Sequence, residues 1–355
     1  MSAKKRIIVE AIVGIALVAG FYLLANKPSS RTELDSGHRL IMGTFARVIA
    51  IAPNAGTAAK CIDAAFEQLS NVDKLMSDYS SDSEISRINN NAYKGSVMVS
   101  KPTFEVLQRA VQFSRETEGA FDVTVGPLVD LYHLAQKEAI TPDKGQIAAA
   151  KSKVGFEKLK LDEQNRTVEF AVDGMRLDLG GIAKGYAVDK AIEAMQKCGA
   201  IGAMVDIGGD IRVFGAPPAG KKKWQIGLQD PCETSEIPID TGRLLMVLEL
   251  TDGAVVTSGD YQRFVLIEGK KYSHIIDTKT GSASSQLSSV TIICPNATDA
   301  DALATAVSVM GAEKGLAFIE SLQGVEAIII TSKPKYQMLR TSGAGKYIKN
   351  GSTRN

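Results

Sequence analysis

Asp301 and Thr305 stand four residues apart in Thr298-Asp299-Ala300-Asp301-Ala302-Leu303-Ala304-Thr305-Ala306, a stretch of small residues with strong helix propensity. On a helix their side chains rise from one face a turn apart, and the alanines around them leave room for a bulky ligand. A carboxylate beside a hydroxyl offers two oxygen donors, a set suited to a hard cation such as Mg²⁺, which leaves its other positions to water and substrate phosphates. The same residues also read as a helix start. Thr298 followed three positions later by Asp301 has the form of a capping box, and an acid in a first turn complements the helix dipole. On this segment alone the two readings stand level.

A second group lies at mid-sequence. Asp178-Leu179-Gly180-Gly181-Ile182-Ala183-Lys184-Gly185-Tyr186-Ala187-Val188-Asp189 occupies a strand-to-helix junction, where backbone N–H groups and the helix dipole welcome an anion and glycines let it approach closely. The spacing is neither the dinucleotide fingerprint nor a Walker loop, since Tyr186 stands where lysine is needed. On spacing alone, a tight turn with a solvated Lys184 is the stronger reading. Val205-Asp206-Ile207-Gly208-Gly209-Asp210 reads as a strand ending in a glycine turn that serves sheet geometry. Thr257-Ser258-Gly259-Asp260-Tyr261 and Ser273-His274-Ile275-Ile276-Asp277 are expected in neighbouring strands, gathering hydroxyl, imidazole and carboxylate groups. His274 suits a satisfied core position in an apolar strand, and its near-neutral pKa range also suits proton transfer.

The elements that must position these residues follow from apolar periodicity. Helices are expected at Ala58–Met76, Lys101–Thr117, Asp143–Lys153, Ile182–Cys198, around Asp301, and at Glu313–Leu322. Strands are expected at Arg39–Ile51, with Met42-Gly43-Thr44 inside it, in a hairpin at Leu159–Asp162 and Thr167–Val172, and at Met175–Leu179. Further strands run from Ala203 through Ile293 and at Ala327–Thr331. Strands outnumber helices and are mostly sequential, so the class is mixed α+β with largely antiparallel sheets and packed helices.

Composition narrows the function. With 355 residues, 45% apolar and 23% charged, the chain can bury a large core. Its 41 basic and 40 acidic residues argue against a nucleic-acid footprint. Four cysteines without a Cys-x-x-Cys give neither a zinc site nor a dense disulfide framework. Lys4-Lys5-Arg6 precedes Ile7–Leu24, which is apolar apart from Glu10, Gly14 and Gly20. Such a run is long enough to span a bilayer with its basic end in the cytoplasm. The expected organisation is a signal anchor and linker over 1–30, a catalytic domain over 31–345 facing outward, and a polar tail over 346–355. A cleaved signal peptide is the rival for the first segment.

The motifs taken in order resemble one family: Met42-Gly43-Thr44, Tyr79 with Ser83, Gly119 to Leu128, Asp178 to Tyr186, Asp206 to Asp210, Thr257 to Tyr261, Ser273 to Asp277, and Thr298 to Thr305. Over roughly residues 38 to 340 the chain looks like the FAD:protein FMN transferases of the ApbE type. Two features depart from that pattern. Thr278 follows Asp277 where the family usually has proline, which is expected to loosen a turn, and the lipid-anchor cysteine of many relatives is missing.

The resemblance implies a T-fold-like catalytic domain behind one membrane helix, held on the outer side of the bacterial inner membrane. It implies an enzyme that binds FAD and Mg²⁺, cleaves the pyrophosphate, attaches FMN through a phosphoester to a threonine of an acceptor protein, and releases AMP. Membrane redox subunits are the implied acceptors. Carried over by residue, the metal ligands are Asp301, Thr305 and the main-chain carbonyl of Gly181. The FAD contacts are Met42, Tyr79, Ala120, Phe121, Asp122, Asp178, Lys184, His274, Ile275 and Ile276. The expected base is His274, with Asp301 the rival. FAD pyrophosphatase and a non-catalytic FAD-binding protein are the alternative functions.

Overall fold

The alternation along Thr44–Ala52 shows how the core is divided. Ala46, Val48, Ala50 and Ala52 face one side of this strand, Ile49 and Ile51 the other, and all are buried. A strand with two apolar faces belongs between two layers. The computed structural model, which describes residues 31–231, 244–259, 264–332 and 336–352, has that arrangement.

Its main sheet has eight strands: β1 (Thr32–Ile41), β2 (Thr44–Ala52), β3 (Gly202–Ile207), β4 (Asp210–Gly215), β5 (Gly253–Gly259), β6 (Leu287–Cys294), β7 (Glu326–Thr331) and β8 (Met338–Arg340). Spatial order equals chain order, and every neighbouring pair is antiparallel. The helices enter as insertions between strands. Between β2 and β3 come α1 (Ala55–Met76), α2 (Glu84–Asn91), α3 (Lys101–Glu116), α4 (Gly126–Glu138), α5 (Lys144–Lys151) and α6 (Ala183–Lys197). Between β6 and β7 come α7 (Ala297–Met310) and α8 (Ala312–Glu320).

Helices α1, α6 and α7 cover one face of the sheet. The other face is closed by a hairpin of Trp224–Gln229 and Leu244–Leu250, whose Trp224, Ile226, Leu228, Met246, Leu248 and Leu250 pack on Ile49, Ile51, Val213, Val255, Ile293 and Ile328. Trp224 donates its indole N–H to the Phe214 carbonyl at 3.2 Å, so its burial leaves no polar atom unpaired. The chain continues onto this layer past residue 345, with Tyr347 and Ile348 against the hairpin and Lys349 N–H donating to the Val247 carbonyl at 2.9 Å.

The mixed α+β class with largely antiparallel sheets is what the sequence led one to expect. Several local expectations differ. Met42 and Gly43 interrupt the expected Arg39–Ile51 strand as a two-residue turn between β1 and β2, both with positive φ (51° and 68°). That geometry matches the right-handed twist of the flanking strands; glycine supplies one half without cost, and Met42 is held in the left-handed region. The segments around Thr257 and Ser273 are not neighbours in a sheet. β5 is flanked by β4 and β6, while Lys270–Ser273 pairs with Phe264–Ile267. Met175–Leu179 forms a single bridge from Arg176 to Val125 instead of a strand. Asp260, Tyr261 and the expected span at Ile7–Leu24 lie outside the described residues. Among the described residues no helix is long and apolar enough to cross a membrane.

Candidate active site

Helices α6 and α7 cross at Gly185 and Ala297. A Cβ on Gly185 would stand 2.2 Å from the Ala297 carbonyl oxygen and 2.9 Å from the Asp301 Cβ, so only glycine allows this approach. One turn beyond the crossing, each helix carries an aspartate that caps the other. Asp301 Oδ2 accepts from Gly185 N–H at 3.1 Å. Asp189 Oδ1 accepts from Ala297 N–H and Oδ2 from Thr298 N–H, both at 2.9 Å. First-turn N–H groups have no partner within their own helix, so each carboxylate satisfies orphan donors at the positive end of a helix dipole.

This arrangement removes the capping-box reading of the Thr298–Thr305 segment. The cap of α7 is Asn296, whose Oδ1 accepts from Asp299 N–H at 2.8 Å. Thr298 instead donates its hydroxyl to Asp189. Asp301 therefore does not serve the start of its own helix. It points at α6, buried to 2% exposure, with Oδ2 also 3.5 Å from Lys184 Nζ.

Lys184 is not the solvated side chain that spacing favoured. Its ammonium sits 2.6 Å from Asp210 Oδ2, and both aspartates it faces are buried. Two carboxylates thus share one ammonium. Burial, then repulsion from Asp301, pushes the Asp210 carboxyl up to about 7 against the pull of Lys184.

Thr305 lies over the glycine turn. A Cβ on Gly181 would stand 2.8 Å from Thr305 Oγ1 and 3.3 Å from the Phe121 ring. Among the described residues the Thr305 hydroxyl and Asp301 Oδ1 make no hydrogen bond. The residues therefore fit a hard cation: an unspent carboxylate oxygen, an unspent hydroxyl, the Gly181 main chain beside them, and surplus negative charge. Among the described residues no three or more His, Cys, Asp or Glu side chains gather to hold a metal, so such a site would draw on hydroxyl, main-chain and water oxygens.

Gly181 and Gly185, which spacing reads as part of a tight turn, also make room for α7.

The other expected residues fall into three groups. Phe121 is buried against Gly181, with its ring edge-on to Phe113 at 6.1 Å, and Ala120 is buried beside it. Asp122 spends its carboxylate tying its own loop to the turn at Phe156: Oδ1 accepts from the Thr124 N–H and hydroxyl at 2.8 and 2.7 Å, and Oδ2 from Phe156 N–H at 2.9 Å. Burial raises its pKa. Asp178 holds the start of the glycine turn through Gly180 N–H at 2.7 Å, and its own N–H donates to Val123 at 2.8 Å.

Met42 and Tyr79 both stand at the C-terminal end of α1. Met42 N–H donates to Asp73 Oδ2 at 3.3 Å, and Tyr79, in the loop that follows, is 90% exposed. Asp78 beside it has its carboxyl raised by burial and by the charge of Asp178, which places this loop near the glycine turn.

His274 is on an exposed bend, not in an apolar strand, while Ile275 and Ile276 are buried. The segment is tied to the site from both ends. Thr278 donates to the Gly119 carbonyl at 2.7 Å, and Ser284 donates to the Ser308 carbonyl of α7 at 2.6 Å. Thr278 therefore fastens its turn, contrary to the loosening expected where proline is absent; proline has no donor to offer.

Sequence reasoning passed over Asp210 and Asp189. The first looked like part of a strand turn, and the second closed a quoted motif without a role. The available signal was chemical: both are acids set among apolar strand and helix positions, and a buried acid needs partners.

Known proteins share this architecture. The model of the ApbE family matches residues 42–329. The FAD:protein FMN transferase of Treponema pallidum is 33% identical over 315 residues, covering 85% of each chain, and that of Haemophilus influenzae is 35% identical over 258 residues, 71% of this chain and 73% of the relative. Among solved structures, the ApbE protein of Thermotoga maritima superposes with a TM-score of 0.78 at 29% identity, covering 90% of this chain and all of its own. The flavin transferase ApbE of Vibrio cholerae gives 0.74 at 29% identity with the same coverage. A match spanning both crossing helices and the sheet beneath them, shared with relatives above 30% identity, makes this chain a member of the ApbE family.

Proposed function

We propose that this protein is a FAD:protein FMN transferase that breaks the FAD pyrophosphate with Mg²⁺, joins FMN to a threonine of an acceptor protein and releases AMP. The observation that carries the reading is the α6–α7 crossing. It concentrates Asp301, Thr305, Gly181 and Lys184 at one point, in a chain whose relatives are named for this activity.

Phosphoryl transfer asks the protein mainly for position and charge. Asp301, Thr305 and the Gly181 carbonyl would hold Mg²⁺, which supplies charge neutralisation on pyrophosphate oxygens. Lys184, fixed by Asp210, adds a cation near the same oxygens as negative charge gathers on departing AMP. The acceptor hydroxyl has to lose its proton as it attacks phosphorus. Asp301 is committed to Gly185 N–H and to the cation it would hold, so the exposed imidazole of His274 is the better base.

The segment Ile7–Leu24 would hold the catalytic domain on the outer face of the bacterial inner membrane, close to membrane redox subunits as acceptors.

The test is direct. The protein is mixed with FAD, Mg²⁺ and a candidate acceptor, and the acceptor band is examined for flavin fluorescence and, by mass spectrometry, for FMN on threonine. Stoichiometric AMP and labelled acceptor are expected. Free FMN and AMP with unlabelled acceptor would identify hydrolysis, and intact FAD after incubation would remove catalysis. For the base, His274→Ala is expected to slow single-turnover transfer at saturating FAD about 100-fold; an unchanged rate excludes His274.

A further inference from the structure

Cys61 and Cys198 meet where α1 packs on the end of α6. Cys61 is fully buried on α1, and its thiol donates to the Met195 carbonyl at 3.8 Å. Met195 is one turn before Cys198 on α6, so this contact brings the Cys61 thiol to the turn that carries Cys198, near enough for the two thiols to influence each other. One turn earlier on the same face of α1, the Thr57 methyl lies 3.7 Å from where a Cβ of Gly199 would stand, so α1 also touches the residue that follows Cys198. The turn that carries Cys198 is fixed by Cys198 N–H to Ala194 and Ala200 N–H to Met195, at 2.9 and 3.1 Å. Cys198 is partly exposed, while Cys61 is not.

We propose that Cys61 and Cys198 are a disulfide-forming pair that cross-links α1 to the C-terminal end of α6 when the protein meets a disulfide oxidant. The reaction is two exchanges. The Cys198 thiolate attacks one sulfur of the oxidant and expels a thiol; the Cys61 sulfur then attacks Cys198 and expels the second. Two electrons and two protons pass from the cysteines to the oxidant, which leaves as two thiols. The order follows from access. Burial, and next the neighbouring Cys198, push the Cys61 thiol up to about 12, so it cannot open the sequence. With the Cys61 thiol already at the Met195 carbonyl, side-chain rotation is what has to bring the two sulfurs to bonding distance, about 2.05 Å.

The cross-link would join chain segments far apart in sequence, where restricting the unfolded chain stabilises most. It would also fix the two helices that frame the site, since α6 begins at the Gly181–Lys184 turn and α1 ends beside Met42. The proposal stands whether or not the transferase reading does.

The full chain is incubated under native conditions with oxidised glutathione, alkylated, and digested without reduction. Expected are a peptide pair joining Cys61 to Cys198 and a Tm rise on the order of 5 °C that dithiothreitol reverses. Cys61→Ser is expected to stop at glutathione held on Cys198, and Cys198→Ser to leave Cys61 unmodified. Wild-type protein that also stops at the mixed disulfide, or that pairs either residue with Cys232 or Cys294, overturns the proposal. So does a Cys198 that stays free after prolonged exposure.

Discussion

Asp189 caps α7 with both of its oxygens, whereas Asp301 caps α6 with one. Asp189 accepts from two backbone N–H groups, from the Thr298 hydroxyl and from Arg212 at 2.7 Å, so its capacity is used up. Asp301 accepts at Oδ2 from Gly185, faces Lys184, and keeps Oδ1 for something else. The two residues occupy equivalent places around one helix crossing. The difference separates an acid whose acceptor capacity is spent from one that keeps an oxygen in reserve.

The largest expected effect comes from Asp301→Asn. The amide oxygen can still accept from Gly185 N–H, so the helix pair should persist, while the charge that would face a cation is gone. Flavin transfer should fall about 1,000-fold, roughly 4 kcal/mol of transition-state stabilisation, with Tm changed by no more than about 2 °C. Rate assays beside a thermal melt decide it. Full activity would move the chemistry off Asp301, and an unfolded variant would make the two aspartates alike.

Asp189→Ala inverts that pattern. Two first-turn donors of α7 lose their acceptor, and Arg212, whose Nε is already buried without a partner among the described residues, loses its counter-charge. A loss of about 3 kcal/mol is expected as a lower urea midpoint at unchanged slope, because breaking a buried pair leaves an uncompensated charge. Activity per folded molecule should stay within about threefold at low temperature. A rate collapse in fully folded protein would give Asp189 a part in the chemistry itself.

Gly185→Ala tests the crossing from the backbone side. Its Cβ would stand 2.2 Å from the Ala297 carbonyl, and that neighbour is main chain, so the helices have to part. Alanine's better helix propensity returns about 1 kcal/mol, less than the overlap costs, for a net loss of about 2 kcal/mol. A stable, fully active variant would show that the close approach is dispensable.

How much of this could be read in the chain depended on range. Apolar periodicity located α1, α3, α6 and most central strands within a few residues, because burial on a fixed face writes itself into local order. The residues that matched a known order of motifs came with roles attached, and the structure brings Gly181, Lys184, Asp301, Thr305 and Phe121 to one place. What stayed hidden was pairing across long separations. Nothing near Lys184 in sequence announces Asp210, and nothing near Ala297 announces that its N–H is capped from α6. The turn at Met42 was missed for the opposite reason. A left-handed methionine breaks the local rule, and only the flanking strands impose it.

The smallest effect is the most diagnostic for the cation. Thr305→Val replaces a hydroxyl by a methyl of the same shape. A hydroxyl with no hydrogen bond among the described residues contributes little to folding, so the urea midpoint should hardly move. If Thr305 is a ligand, removing one oxygen should weaken Mg²⁺ about tenfold, or roughly 1.4 kcal/mol. The measurement is the Mg²⁺ concentration at half-maximal transfer, together with the Tm shift that Mg²⁺ produces in the FAD-bound protein. Both should move together and be overcome by excess metal. If Mg²⁺ dependence stays unchanged, the hydroxyl merely packs on Gly181, and Asp301 would have to complete its coordination from main-chain and substrate oxygens alone.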